Sequence, residues 1–259
     1  MASVTTIAKA VKQPRGGYLK IEQFSNVGLL DFIDLKPTEN IHPTITGLVV
    51  DYLSRFKSGT PANEAFKISI FGAEKAEKFG MKNAVQIANG YLSQIENLDD
   101  NSIINACKLA TFDMWFRNAF SAMRATPHTE INPDEDTIFN IRTMVTRSLT
   151  FFELYGPVVK DGFTFLPNGY TDIVDSGDGD FLTADTMWDF KVSKKKPNKD
   201  HTLQLLMYWV MGQHSGNDDF KNITKIGFFN PRSNEKYVID VSDIDSDLIK
   251  LVEKEIIGY

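Results

Sequence analysis

Gly177-Asp178-Gly179-Asp180-Phe181-Leu182, then Thr183-Ala184-Asp185, then Thr186-Met187-Trp188-Asp189-Phe190-Lys191-Val192 carries the strongest strand pattern and the sharpest chemical signal in the chain. Two runs of strand-forming residues flank a three-residue connection at 183–185, which predicts a β-hairpin. Alternation along the second strand puts Asp189 and Lys191 on one face and Trp188 and Phe190 on the other. In hairpin register Asp180 falls opposite Trp188 and Asp189, so two carboxylates and one ammonium converge. Like charges brought so close call for a cation to bridge them.

Working outward, Lys194-Lys195-Lys196-Pro197 reads as a basic loop. A helix over 201–211 follows, with Leu203, Leu206, Met207 and Val210 inward, and it carries Gln204 and Tyr208. Strands over 223–229 and 237–241 flank the turn Asn230-Pro231-Arg232-Ser233-Asn234, and a helix over 246–257 closes the chain. Upstream, 163–166 and 170–174 have strand character. Before Gly156-Pro157, Tyr18-Leu19-Lys20-Ile21 reads as a short strand or extended lead-in and 127–133 as a loop, and helices are expected over 44–56, 64–79, 84–98, 102–123 and 137–155. Pro43 and Gly59 punctuate the first of these helices, and Asp51 and Arg55 on it stand four apart, at pairing distance. The stripe Phe112, Trp115, Phe116, Phe120 has helical period and is expected in the core. The first dozen residues lack a period and are expected to fray.

The fold class expected is therefore α/β, an α+β mixed sheet. A helical N-terminal elaboration over 1–156 would pack on a strand core over 157–259, with no flexible linker between them, as one continuous unit. The formal net charge of −6 excludes a surface built for coating nucleic acid, though not a local basic groove. The single Cys107 excludes a disulfide framework and points to a reducing compartment. No run is long enough to cross a bilayer and 1–10 lacks a leader pattern, so the expectation is a cytoplasmic protein without a membrane partner. His42, His128, His201 and His214 have no zinc spacing. No nucleophile elbow or phosphate-cradling glycine loop is visible, so the chain encodes neither serine-hydrolase nor motor chemistry.

Asp180 followed by Asp189-Phe190-Lys191 resembles the signature of the PD-(D/E)XK nuclease superfamily, and Gln204-x-x-x-Tyr208 is similar to the extra motif of its RecB-like exonuclease branch. Gly179 stands where that pattern often has proline. Gly47-Leu48-Val49-Val50-Asp51-Tyr52 resembles the helical element preceding the RecB-like core, with Asp51 where histidine or glutamate is often found. The resemblance implies a restriction-endonuclease-like αβββαβ core, and a Mg²⁺-dependent deoxyribonuclease, an exonuclease or single-strand-preferring enzyme, for which Mn²⁺ would substitute. It implies DNA, single-stranded or at duplex ends, as partner, and a helicase or recombination protein as an associate.

Phosphodiester hydrolysis needs an activated water and relief of charge on the phosphoryl oxygens. A divalent ion on Asp180, Asp189 and the Phe190 carbonyl, with Asp51 as an added ligand, would supply both. Lys191 would orient the water or the phosphate, Gln204 would hydrogen-bond either, and Tyr208 would position the sugar-phosphate or buttress Gln204. Lys194, Lys195 and Lys196 suit backbone phosphates. Asp172, in Gly169-x-x-Asp172, is the alternative first acid, and Asp178 shares a face with Asp180. The competing reading is a nucleic-acid-binding or defence-interfering protein on a nuclease fold that no longer cleaves.

Overall fold

The structure, a computed structural model, describes residues 2–28 and 31–259. They fall into two compact units. The first comprises the described residues of Met1–Leu30 together with Phe151–Tyr259, and the second is Asp31–Thr150. In chain order the first unit begins with β1 (Ala2–Ser3), α1 (Val4–Ala10) and β2 (Ser25–Gly28). The second contains α2 (Pro43–Lys57), α3 (Ala62–Ala65), α4 (Lys67–Lys78), α5 (Ala84–Leu92), α6 (Asp100–Ala110), α7 (Asp113–Arg117), α8 (Ala119–Ala122) and most of α9 (Glu135–Tyr155). The first unit resumes with β3 (Lys160–Phe163), β4 (Val174–Ser176), β5 (Gly179–Leu182), β6 (Thr186–Phe190), α10 (Lys199–His214), β7 (Lys225–Asn230), β8 (Glu235–Asp240) and α11 (Ser246–Leu251), which runs on as a wider turn to Ile257.

The expected hairpin is present. β5 and β6 pair antiparallel with Phe181 opposite Trp188, and Thr183–Asp185 make the connection, closed by Thr183 N–H donating to the Thr186 carbonyl at 3.0 Å. Among the described residues β1 and β4 form a separate parallel pair, and the larger sheet has six strands in the order β2-β8-β7-β6-β5-β3. It is mixed: β6 and β7 are parallel, joined through α10, and the other pairs are antiparallel. Period-two alternation sorts the side chains to two faces. Phe181, Trp188, Phe190, Phe229 and Val238 pack with Phe151 from the end of α9 on one side. Leu182, Met187, Ile226, Phe228 and Ile239 pack against α10 on the other. α10 is buried nearly all round, with Leu203, Leu205, Leu206, Met207 and Met211 at 0% exposure, as a helix apolar on every side requires.

Four expectations change. The residues before 13 do not fray: Val4 and Ala8 of α1 are buried against α10, and Leu19 and Phe24 join the same core. That apolar burial also places residues 2–28 in the strand-containing unit, so the helical unit is not 1–156 but begins at Asp31. The expected helix over 102–123 is three helices: α6 ends at Ala110, and between α7 and α8 Asn118 leaves helical geometry (φ −155°, ψ 94°) to cap α8, accepting from Ser121 N–H at 3.1 Å. The aromatic stripe expected in the core is only partly there: Phe112 is 1% exposed, whereas Phe116 and Phe120 are 44% and 76% exposed. The packing of α4 on this region needs Gly72, where a Cβ would stand 1.9 Å from the Phe112 carbonyl oxygen. Among the described residues no helix is long and apolar enough to cross a membrane.

The helical unit buries one carboxyl. Asp113, 1% exposed, accepts hydrogen bonds from the hydroxyls of Tyr52 and Ser69, each at 2.5 Å. Burial raises its pKa above the ordinary 3.8, and the two hydrogen bonds only partly oppose this. The folded state therefore holds the proton more tightly than the unfolded chain. Stability is greatest where both states are protonated, and it falls as pH rises from about 4 through the folded pKa, by about 1.4 kcal/mol per unit of elevation. Asp113→Asn is expected to abolish that slope. Urea unfolding of both proteins from pH ~4 to ~7 checks it, the variant's relative stability rising with pH; a pH-independent difference would contradict the assignment.

Candidate active site

The hairpin and the parallel crossover that follows it bring the sequence-predicted residues of the first unit onto one face. Asp180 and Leu182 of β5 point to the side that Met187 and Asp189 of β6 occupy, the side covered by α10. Continuing the observed register by one pair sets Asp180 opposite Asp189. Asp180 Oδ2 accepts the Phe190 N–H at 2.6 Å, which ties the first acid to the strand bearing the second. β6 is in turn fixed on its other edge, where Lys191 N–H donates to the Phe229 carbonyl at 2.9 Å.

Gly179, the departure from the superfamily pattern, has a packing cause. It is buried, and a Cβ there would lie 2.0 Å from the Phe163 ring of the neighbouring β3. Neither proline nor any other side chain fits while that ring fills the space.

Asp189 is 5% exposed. Lys191 Nζ donates to its Oδ1 at 3.0 Å and lies 2.8 Å from its Oδ2. The second approach is an ion contact rather than a directed hydrogen bond, so among the described residues Oδ2 is a buried carboxylate oxygen to which no donor is aimed. Burial alone would lower the pKa of Lys191, but the carboxylates of Asp189 and Asp180 outweigh it and raise the pKa above the ordinary lysine value. Without a metal in the balance, Lys191 is thus a fixed cation.

On α10, one turn separates Gln204 from Tyr208, and Gln204 Nε2 donates to the Tyr208 hydroxyl at 2.8 Å and to Thr5 Oγ1 of α1 at 3.0 Å. Both amide hydrogens are used, which leaves Oε1 as the acceptor Gln204 can offer. Tyr208 is 4% exposed, and its pKa is raised: burial leads, the Gln204 hydrogen bond opposes it, and the charges of Asp189, Asp178 and Asp180 add to it. Tyr208 is therefore a neutral hydroxyl at physiological pH, close enough to all three acids to feel them. α10 starts at a capping box, Asn198 accepting from the N–H groups of Asp200 and His201 while His201 Nδ1 accepts from Asn198 N–H.

The remaining candidates lie on other segments. Asp172 is exposed in the bend before β4, and Asp178 is exposed just ahead of β5. Lys194, Lys195 and Lys196 are exposed on the loop after β6, which the buried Asn230 secures by donating to the Ser193 carbonyl at 2.8 Å. Asp51 belongs to the helical unit, where it forms the expected pair with Arg55 at 2.9 Å.

Sequence reasoning missed three residues here. A pocket of about 160 Å³ is lined by Thr5, Lys9, Lys191, Asp200, His201 and Gln204, along with Ala8. Thr5 and Lys9 lie on the helix expected to fray, and His201 is a lone histidine with no spacing partner. No periodicity or motif marks any of them.

The donor set fits a hard divalent ion: two carboxylates on adjacent strands, one with a buried oxygen free of directed donors. Among the described residues no three His, Cys, Asp or Glu side chains gather as a metal group. An ion held here would complete its shell with backbone carbonyl and water, which Mg²⁺ accepts.

No protein-family model matches this chain, and neither a curated protein nor a solved structure matches it.

Proposed function

We propose that the first unit is a divalent-metal-dependent nuclease that hydrolyses DNA phosphodiester bonds, a RecB-like exonuclease of the PD-(D/E)XK type. The observation that carries this reading is the convergence of Asp180, Asp189 and Lys191 on the α10 face of one hairpin, with Gln204 and Tyr208 on the helix that covers it. The order β3, β5, β6, α10, β7, preceded by the end of α9, supports the αβββαβ core of that superfamily, with β4 as an excursion between its first two strands.

Asp180, Asp189 and the Phe190 carbonyl would hold the ion. Mg²⁺ bound there supplies a lowered water pKa and neutralises charge on the phosphoryl oxygens. Lys191, fixed by Asp189, presents an ammonium to the scissile phosphate and stabilises the charge that builds in the transition state. Gln204, with both N–H groups engaged, offers Oε1 to orient the attacking water. Tyr208 keeps its proton and locks the Gln204 amide. The exposed lysines 194–196 beside the site contact backbone phosphates and carry no sequence preference.

Cleavage of linear, circular and single-stranded DNA is expected in Mg²⁺ or Mn²⁺ and to cease in EDTA. Degradation from ends, with circles spared, marks an exonuclease. Lys191→Ala is expected to slow the reaction by about 10²–10³-fold, the scale of losing one preorganised electrostatic contact. DNA binding with no metal-dependent cleavage by the unmodified protein would instead identify a binding protein on a nuclease fold.

A further inference from the structure

The pocket between α1 and α10 carries more donors than its own side chains satisfy. His201 Nδ1 accepts from Asn198 N–H at 3.2 Å, so in the neutral ring the proton sits on Nε2. Among the described residues nothing accepts from that Nε2–H. Burial, reinforced by the Lys191 ammonium, holds the His201 pKa below its ordinary value, so the ring is a neutral donor at physiological pH. Lys9 is exposed on α1 and, among the described residues, has no ion-pair partner. Thr5 Oγ1 accepts from Gln204 and keeps its own O–H to give. Against these stands Asp200, whose Oδ1 already accepts from Gln13 Nε2 at 3.3 Å.

The ligand that answers this set is a compact anion with several acceptor oxygens. Size agrees: about 160 Å³ falls short of the ~300 Å³ at which small-molecule sites begin. A phosphate fits this space. The first turn of the long helix α10 also forms one side of the pocket and adds positive potential.

We propose that this pocket is a phosphate subsite, in which Lys9 and His201 hold a phosphate of the substrate strand next to the bond that is cleaved. The proposal rests on the nuclease reading of the neighbouring carboxylates. It gives α1 a function: Val4 and Ala8 anchor the helix on α10, Thr5 fixes Gln204, and Lys9 meets the strand.

The test uses the full chain in EDTA, so that no cleavage is needed for the readout. Inorganic phosphate and then a short oligothymidylate are titrated while the histidine ring signals are followed by NMR, with His201→Gln assigning the signal. Both ligands are expected to shift the His201 signal and to compete with each other, and Lys9→Ala is expected to weaken both about tenfold. An unmoved His201 signal, or a Lys9→Ala protein that binds as tightly as the unmodified one, overturns the subsite. Binding of inorganic phosphate alone overturns its assignment to the strand. Failure here leaves Lys191-dependent cleavage untouched, whereas phosphate and oligothymidylate binding without any metal-dependent cleavage would refute the nuclease reading and reduce the pocket to a strand-phosphate site with no bond cleaved beside it.

Discussion

Asp189→Asn is expected to lose metal-dependent cleavage by roughly 3–5 kcal/mol of transition-state stabilisation, about 10²–10⁴-fold, while the protein stays folded. The substitution keeps the size of a side chain that is 5% exposed and removes the charge that a cation needs. It also frees Lys191, whose ammonium is held by both oxygens of Asp189 at 2.8 and 3.0 Å. Two contributions to the rate thus go together, and Asp189→Asn with Lys191→Ala should fall far short of additive. Asp172→Asn is the matching control. That residue is exposed in the bend before β4, outside the hairpin, and its loss should leave the rate within about twofold. Single-turnover cleavage rates of these proteins and of Asp180→Asn decide the matter. A tenfold or greater loss at Asp172→Asn with Asp180→Asn silent would transfer the first-acid role from Asp180 to Asp172.

The largest stability effect is expected at Phe229. Its ring is 0% exposed and stacks on Phe151 with centroids 4.0 Å apart and planes 15° from parallel, while Phe190 lies 5.8 Å away. Truncation to alanine removes that contact and leaves a void in close-packed surroundings, at a cost of about 3–5 kcal/mol. The urea midpoint should drop at unchanged slope. The same residue links the core to the site, because its backbone carbonyl accepts Lys191 N–H in the parallel β6–β7 pair. Activity of Phe229→Ala should therefore persist at low temperature and fail early on heating. An unchanged midpoint would contradict the packing described for this face of the sheet.

Why some of this was legible in sequence and some not has a physical answer. The hairpin was readable because alternation, strand formers and a three-residue connection all agree over 179–190. Helix α2 was readable for the same reason, with Pro43 at its start and Gly59 just after its end. Helix α1 was not: seven residues with two threonines carry no resolvable period, and what holds them is the fit of Val4 and Ala8 on α10. Strand β2 was invisible because all four of its residues are exposed and it is held by backbone pairing to β8. The aromatic stripe misled because helical period reports which side chains share a face, never whether that face is covered. Of the site, the acids and Lys191 announced themselves by charge crowding. Lys9 and His201 are ordinary residues until a distant helix is laid beside them.

The most direct measurement is a crystal of the unmodified protein soaked in Mn²⁺ and recorded at the manganese absorption edge. The expected result is one anomalous peak within coordination distance of both the Asp180 and Asp189 carboxylates, absent from Asp189→Asn crystals treated the same way. A saturated soak with no peak between those carboxylates, or a peak that survives in the variant, would contradict the claim that this hairpin exists to hold a divalent ion.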